Sequence, residues 1–210
     1  MIDMDVNIWL VVACAAAAYL IGNISPSILM AKARGIDIRK EGSGNAGTTN
    51  ALRVMGKKAG AVTLVVDILK GTGAVLLGTL AGGHTAAVWC AVFVFCGHVW
   101  PVFYRFRGGK GVATAFGALL GLNPLLAVSA LVIVIIGVLL SKRMSVGSLI
   151  GAVSFPFMAY FLERDFVIPG SIMAVIILIK HRGNIGRLFR GEEPIMSIFE
   201  KKKDDQEAVK

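Results

Sequence analysis

The stretch GVATAFGALLGLN, residues 111–123, decides how this chain is arranged in a membrane. The stretch is apolar, but as a helix rising about 1.5 Å per residue it would reach only about 20 Å. The hydrocarbon core of a bilayer is about 30 Å thick, which favours spans of about 20 residues. Whether this stretch crosses the membrane fixes the side on which every later segment lies.

The rest of the sequence has the composition of a membrane protein. Of its 210 residues, 56% are hydrophobic and 17% are charged, whereas soluble domains average about 25% charged residues. Period-2 alternation is absent, so the apolar runs predict helices and not the strands of a transmembrane barrel. We therefore predict one all-α, polytopic membrane domain. Besides 111–123, helices are predicted near 6–31, 57–80, 85–104, 125–141, 145–162 and 166–181.

The distribution of basic residues decides whether 111–123 crosses. Lys and Arg collect on the cytoplasmic side of membrane proteins, and an N-terminus that carries Asp3 and Asp5 suits the outside. If 111–123 is a short seventh crossing, the 22 basic residues fall on the cytoplasmic side except for Lys70, inside a helix, and Arg164, outside. If it does not cross, this asymmetry vanishes. We predict seven transmembrane helices, with the N-terminus outside and the C-terminus cytoplasmic.

Three polar, glycine-containing stretches then lie on the same cytoplasmic face. The first is GSGNAGTTNALR (42–53), the second is RFRGGKGVAT (105–114) and the third is KHRGNIGR (180–187). Ordinary positive-inside loops would explain the flanking cations but not the glycines. Glycine lets backbone N–H groups converge on an anion, and a helix N-terminus adds its dipole. Two such loops, each with a cation, favour phosphate binding over tight membrane turns.

Particular side chains in these stretches are candidates for the site. Lys110 and the N–H groups of the helix that GGKG opens would converge on one phosphate. In the first stretch, Arg53 would supply a fixed charge beside small polar donors. His181 and Asn184 are three residues apart and share a face of a helical turn. His98 is either an anchor at the membrane interface or a member of the site.

Asp67 and Lys70 are charges inside a predicted helix. Their i, i+3 spacing allows a buried ion pair. Intramembrane charges are functional candidates, but this pair lies nearly three turns deeper than Lys57, away from the polar stretches. We therefore predict a structural pair.

The three stretches closely resemble the three cytoplasmic motifs of the bacterial integral-membrane acyl-phosphate:glycerol-3-phosphate acyltransferases. The second motif is longer here, GHVWPVFYRFRGGKGVAT (97–114). The resemblance implies a single integral membrane acyltransferase domain, residues 1–193, and a charged cytoplasmic tail, residues 194–210. It implies seven helices in the bacterial cell (inner) membrane. It also implies transfer of a fatty acyl group from acyl phosphate to glycerol 3-phosphate, giving lysophosphatidic acid and phosphate for phospholipid biosynthesis.

The family's functional residues can be assigned to this chain by their positions in the three motifs. The residues implied at the reacting centre are Ser43, Arg53, Lys110, His181 and Asn184. The residues implied to shape the phosphate sites are Gly42, Gly44, Asn45, Gly47, Thr49, Asn50, Gly108, Gly109, Gly111 and His98.

The reaction implied by this resemblance requires mainly that the two substrates are positioned correctly. Acyl phosphate is already activated, so neither a covalent enzyme intermediate nor a cofactor is required. Arg53 and Lys110 would offset the repulsion between two phosphates. The proton of the glycerol hydroxyl passes either to His181 or to a substrate phosphate oxygen, and the sequence is compatible with both acceptors. No metal is expected, because no carboxylate lies within the three stretches.

The expected partners are the two substrates and the lipid bilayer. A soluble enzyme that produces acyl phosphate is implied by the family alone, and no nucleic acid is expected. The alternative function is a membrane transporter of phosphate or phosphate esters. Seven helices without an internal repeat argue against an inverted-repeat transporter, as does the placing of all candidate groups at one face.

Overall fold

The computed structural model describes residues 7–196 and residue 199. In that part of the chain every regular element is a helix, which confirms the predicted all-α class there. Two single-turn 3-10 helices occupy Val102–Tyr104 and Arg164–Phe166. The α-helices are α1 (Ile8–Gly22), α2 (Pro26–Ala33), α3 (Thr48–Met55), α4 (Lys57–Val99), α5 (Val112–Leu122), α6 (Pro124–Ser141), α7 (Met144–Leu162), α8 (Val167–Lys180) and α9 (Arg182–Phe189).

Several of these helices have the length and composition of membrane spans. Among the described residues, four segments qualify: α1 with α2, α4 with the turn after it, α6, and α7. The helices α8 and α9 form a fifth if they are taken as one span, although the chain bends by 52° between them. Large apolar side chains such as Leu80 and Leu140 are exposed on the outside of the bundle, where lipid would cover them. The fold is that of a polytopic membrane protein.

The first predicted helix, 6–31, is broken. The helix α1 ends at Gly22 and α2 begins at Pro26, which lacks the N–H group that a continuous helix needs. The carbonyl groups released at the break are satisfied from inside the bundle. Lys70 Nζ donates to the carbonyl oxygens of Gly22 (3.1 Å) and Ile24 (2.6 Å).

The helix α4 joins the second and third predicted helices. Its 43 residues are interrupted at Gly82–Gly83, where the backbone angles are not helical and Gly83 has φ +66°. A straight helix would place Lys70 and His98 about 42 Å apart, yet Lys70 Nζ and His98 Nδ1 are 2.9 Å apart. The helix α4 is therefore a hairpin with a first limb (57–81) and an antiparallel second limb (84–99).

The short apolar stretch does form a helix, α5, of 11 residues. Its length is about 17 Å. It packs closely on the first limb of α4, because a Cβ on Gly71 would lie 2.4 Å from Thr114 O and a Cβ on Gly117 would lie 2.1 Å from Ile68 O. Small residues of this kind let helix backbones approach inside membranes. The helix is thus embedded against protein along this face.

Residues 42–53 do not form one loop, contrary to expectation. Gly47 is the N-cap of α3, so the second half of the first stretch is helical. The third stretch also becomes helical in α9. Within the first stretch, only the glycine-rich half, 42–47, is not helical.

The chain after α9 folds back on the turn between α6 and α7. Arg143 Nε donates to Glu193 O over 2.9 Å, and Met196 N donates to Lys142 O over 2.9 Å. The predicted tail, 194–210, lies outside the described residues except for 194–196 and 199. Asp3 and Asp5, on which the outside N-terminus was predicted, also lie outside them.

Candidate active site

A polar cavity of about 180 Å³ lies where the three glycine-containing stretches meet. Ser43 comes from the first stretch, Lys110 from the second and Asn184 from the third, so the structure brings all three together. The lining residues are Ser43, Gly44, Asn45, Lys110, Lys180, Gly183, Asn184 and Arg187. We call this the site cavity.

A chain of hydrogen bonds fixes the orientation of the two central side chains. Lys110 Nζ donates to Asn184 Oδ1. Asn184 Nδ2 donates to Glu193 Oε1 over 2.6 Å, and Arg187 Nε donates to Glu193 Oε2 over 2.8 Å. Because the carboxylate of Glu193 can only accept, it turns the amide nitrogen of Asn184 towards itself and the amide oxygen towards Lys110.

The site cavity carries an excess of positive charge. Burial lowers the pKa of Lys110 to about 8; the charges of Arg187 and Arg53 act in the same direction, while that of Glu193 opposes them. The lysine is therefore cationic at neutral pH, but its charge is poorly solvated. Together with Lys180 and Arg187 it makes the cavity a site for an anion.

Asn50 holds the glycine-rich turn 42–47 in place. Asn50 Oδ1 accepts a hydrogen bond from Ser43 N over 2.8 Å, and its Nδ2 donates to the carbonyl oxygens of Ile38 (3.2 Å) and Glu41 (3.0 Å). The side chain is buried and its polar groups are engaged. Asn50 therefore supports the turn that it was predicted to shape.

The glycines of the first stretch shape the turn that presents Ser43 and Asn45. Gly42 and Gly44 have φ of +59° and +70°, which L side chains rarely adopt. A Cβ on Gly47 would lie 2.6 Å from Asn45 Nδ2. The hydroxyl of Ser43 is exposed and makes no hydrogen bond within the described residues, so a ligand in the site cavity can use it.

The first two glycines of GGKG pack closely against the end of α4. Gly108 N and Gly109 N donate to the carbonyl oxygens of Val99 (3.3 Å) and His98 (3.2 Å), so these two N–H groups do not cradle a phosphate as expected. A Cβ on Gly109 would lie 2.2 Å from His98 Nε2. Gly111, with φ +87°, is the N-cap of α5. The first turn of α5 is the helix terminus that was predicted for an anion, although its residues lie outside the lining of the site cavity.

His98 packs against Gly109 of the second stretch and lies outside the lining of the site cavity. Its Nδ1 is 3.3 Å from Asp67 Oδ1, and Asp67 Oδ1 is 2.7 Å from Lys70 Nζ. The predicted Asp67–Lys70 pair is thus present, but it is not remote from the polar stretches. The hairpin in α4 returns the second limb beside the first, and His98 then links the pair to Gly109.

The predicted residues His181, Arg53 and Thr49 also lie outside the lining of the site cavity, as do Asn50, His98 and the glycines described above except Gly44, which is part of that lining. His181 is buried at the end of α8, and its Nδ1 lies 2.8 Å from Ile177 O. Since a carbonyl only accepts, Nδ1 carries the proton and Nε2 is the basic nitrogen. Arg53 is exposed on α3, close enough for its charge to lower the pKa of Lys110. Thr49 is half-buried on the same helix.

Sequence reasoning missed Glu193, Lys180 and Arg187. Arg187 lies three residues after Asn184, so the same helical spacing that joined His181 to Asn184 could have identified it. Glu193 follows the end of α9, where Gly191, with φ +71°, ends the helix. The glycine indicates a turn there but not which residues the returning chain contacts.

Comparison with known proteins agrees with this geometry. The family model described as glycerol-3-phosphate acyltransferase matches residues 12–191. A glycerol-3-phosphate acyltransferase from Thermoanaerobacter sp. (strain X514) is 44% identical over 182 residues, which cover 85% of this chain and 92% of the relative. One from Clostridioides difficile (strain 630) is 43% identical over 191 residues, with coverage of 85% and 92%.

Two solved structures share the fold. Both are crystal structures of PlsY (YgiH), an integral membrane glycerol 3-phosphate acyltransferase, and both are 30% identical to this chain. The glycerol 3-phosphate form has a TM-score of 0.85 and covers 90% of this chain and 99% of its own. The lysophosphatidic acid form has a TM-score of 0.80, with coverage of 88% and 94%. This chain belongs to the glycerol-3-phosphate acyltransferase family.

Proposed function

We propose that this chain transfers a fatty acyl group from acyl phosphate to glycerol 3-phosphate, forming 1-acyl-glycerol 3-phosphate (lysophosphatidic acid) and phosphate. Family membership supports the activity and the acceptor. The observation that carries the proposal is the meeting of Ser43, Lys110 and Asn184 around one polar cavity. A phosphate matches this cavity because it offers several acceptor oxygens to charged and neutral donors.

The site cavity is large enough for the acceptor but too small for the acyl chain of the donor. At about 180 Å³ it is smaller than the roughly 300–1,000 Å³ of sites for drug-sized ligands. Glycerol 3-phosphate is a small, polar molecule that suits such a space. The acyl chain of the donor lies outside it, along the apolar surface of the helices.

The proposed roles follow from the contacts. Lys110 and the first turn of α5 bind phosphate and stabilise the charge that develops on the carbonyl oxygen. Asn184 positions Lys110, and Ser43 donates its hydroxyl to a substrate oxygen. Arg53 contributes positive charge, which already acts on Lys110. His181 is buried next to the third stretch and is one of the two proposed proton acceptors.

The reaction is a direct acyl transfer. The 1-hydroxyl oxygen of glycerol 3-phosphate attacks the acyl carbonyl carbon and forms a new C–O bond. The bond between that carbon and the bridging oxygen breaks, and phosphate leaves with the electron pair. The hydroxyl proton passes to His181 Nε2 or to a phosphate oxygen of a substrate. No cofactor and no metal ion is proposed for these steps.

We extend the proposal to the arrangement in the membrane. The break before α2, the hairpin in α4 and the short α5 are consistent with seven crossings, of which the two limbs of α4 are separate ones. With the N-terminus outside, the site cavity faces the cytoplasm across the bacterial cell (inner) membrane. Residues 1–193 form the acyltransferase domain and 194–210 a charged cytoplasmic tail. A soluble enzyme that produces acyl phosphate is the proposed source of the donor.

The decisive experiment is an assay of the purified protein in lipid nanodiscs with palmitoyl phosphate and glycerol 3-phosphate. Nanodiscs enclose no volume, so no gradient or transport can contribute. An acyltransferase forms lysophosphatidic acid and phosphate in equal amounts. A transporter of phosphate esters forms neither, and that outcome would refute the proposal.

A further inference from the structure

A second cavity, of about 690 Å³, shares no lining residue with the site cavity. It lies between α2, the segment 36–40 that precedes the first stretch, and the segment 103–107. Its volume is within the range of ligand sites. We call it the basic cavity, because five of its lining residues are Lys or Arg and one is acidic.

The acidic residue of the basic cavity is already neutralised. Arg39 Nε donates to Asp37 Oδ1 over 2.8 Å, and Arg39 Nη2 donates to Asp37 Oδ2 over 3.2 Å. These hydrogen bonds hold the pKa of Asp37 below its usual range. Arg39 Nη1 also donates to Tyr104 O over 3.4 Å, so the pair connects two walls of the cavity. Of the other cations of the cavity, Lys40 is the one whose charge also acts on Asp37.

Four cations of the basic cavity make no ion pair in the described part of the chain. Lys32, Lys40, Arg105 and Arg107 are exposed, and no hydrogen bond or ion pair involves their side chains. Four like charges around one cavity repel one another, and binding of an anion relieves that repulsion. The arrangement fits a phosphate better than a carboxylate, since a phosphate has more acceptor oxygens.

The basic cavity also has apolar walls. Phe103 is 70% exposed and Ile36 is partly exposed, whereas Ile28 and Ile38 are already buried among other apolar side chains. A free inorganic phosphate would leave Phe103 and Ile36 uncovered, whereas a lipid would cover them. The apolar surface next to four unpaired cations therefore indicates a ligand with both an anionic and an apolar part.

We propose that the basic cavity binds the headgroup of an anionic phospholipid of the surrounding bilayer, with the phosphate against Arg105 and Arg107 and the apolar part against Ile36 and Phe103. Basic pockets at the cytoplasmic ends of membrane helices suit such headgroups. This site is separate from acyl transfer, and the proposal does not depend on the proposed function. The basic cavity and the site cavity are bordered by the same two loops, so bound lipid would support the loops that carry Ser43 and Lys110.

The test is titration of phosphatidylglycerol into the full-length protein in neutral detergent, with bound lipid counted by native mass spectrometry. Arg105→Gln/Arg107→Gln should weaken binding by at least about tenfold, because each cation near a lipid surface contributes about a factor of five. Arg105→Lys/Arg107→Lys should retain most of the affinity. The control, Lys57→Gln/Lys58→Gln, removes two exposed cations at the start of α4 and should bind as the wild type does.

Titrations with other lipids and with glycerol 3-phosphate identify the ligand. Phosphatidylcholine, which has no net charge, should bind weakly to every variant. A loss below tenfold, or an equal loss in the control variant, would overturn the proposal in favour of diffuse surface charge. Displacement of phosphatidylglycerol by glycerol 3-phosphate, or much tighter binding of lysophosphatidic acid, would also overturn it. Either result would assign the cavity to a substrate or product.

Discussion

The side-chain nitrogen of Lys70 lies 2.9 Å from Nδ1 of His98, on the opposite limb of α4. Asp67 completes this buried cluster, with Oδ1 2.7 Å from Lys70 Nζ and 3.3 Å from His98 Nδ1. The imidazole of His98 packs directly against Gly109, the residue before Lys110. The cluster therefore links the interior of the bundle to the backbone that carries the central cation of the site cavity.

We expect Lys70→Met to destabilise the protein by about 3–5 kcal/mol, because it removes the ammonium partner of the buried Asp67 carboxylate and leaves His98 as its neighbour. It also removes the donor to the carbonyl oxygens of Gly22 and Ile24. Denaturant unfolding in detergent micelles measures the change. The double variant Asp67→Asn/Lys70→Met should recover part of the loss, and Lys57→Met, at an exposed position of the same helix, should change stability little. Wild-type stability in Lys70→Met would contradict the role of the cluster.

The sequence predicted the membrane fold and the meeting of the three stretches, but not the connection between Lys70 and His98. Apolar runs and the positions of basic residues are local features, and they placed Ser43, Lys110 and Asn184 at one face. The contact of Lys70 with His98 depends on how Gly82–Gly83 folds α4 back on itself. Such a contact is set by tertiary packing and leaves no periodic signal in the sequence.

The prediction of the site was incomplete for a related reason. Glu193 reaches Asn184 and Arg187 only because the chain reverses after α9. Gly191 indicates the end of the helix, but it does not indicate where the returning chain lies. Gly108 and Gly109 were predicted as a phosphate cradle, since glycines in a loop permit both ligand binding and close packing. The structure shows that the N–H groups of this pair are bonded to the end of α4.

We expect Lys110→Met to abolish turnover while the protein still inserts and folds. Methionine has a similar length but supplies neither the charge nor the hydrogen bond to Asn184, and charge-assisted hydrogen bonds contribute about 1.5–3 kcal/mol each even before phosphate charge is considered. Lysophosphatidic acid formation in nanodiscs measures the loss, and size-exclusion profiles verify the fold. Turnover near the wild-type rate would refute the assignment of Lys110 to phosphate.

The rate should depend on pH through the same lysine. Burial lowers the pKa of Lys110 to about 8, and a lysine is cationic only below its pKa, so kcat/KM should fall as pH rises through about 8. The unfolded chain binds this proton up to about pH 10.4, so Lys110 should make stability rise with pH between these values. Lys110→Arg remains charged throughout. An alkaline limb that stays near pH 8 in Lys110→Arg would assign the limb to another group.

The proposed crossing of α5 places Lys142 inside and Arg164 outside. Both residues are exposed, so single cysteines at these positions can be labelled after Cys14, Cys90 and Cys96 are changed to Ala. In intact cells an impermeant maleimide should label position 164 and should reach position 142 only after permeabilisation. The cysteine-free parent should retain activity, because the three cysteines lie in apolar packing. Equal labelling of both positions from one side would contradict seven crossings.

Turnover should not require a metal ion. Mg²⁺ in phosphate enzymes is held by oxygen ligands, chiefly carboxylates, and the carboxylate beside the site cavity is that of Glu193. Its two oxygens already accept hydrogen bonds from Asn184 and Arg187. A metal ion there would have to displace these donors and would face the fixed charges of Lys110 and Lys180. We therefore expect equal rates with excess EDTA and with added Mg²⁺, using substrates stripped of metal. Activity that EDTA removes and Mg²⁺ restores would contradict this, and Glu193→Gln would then test whether that carboxylate is the ligand.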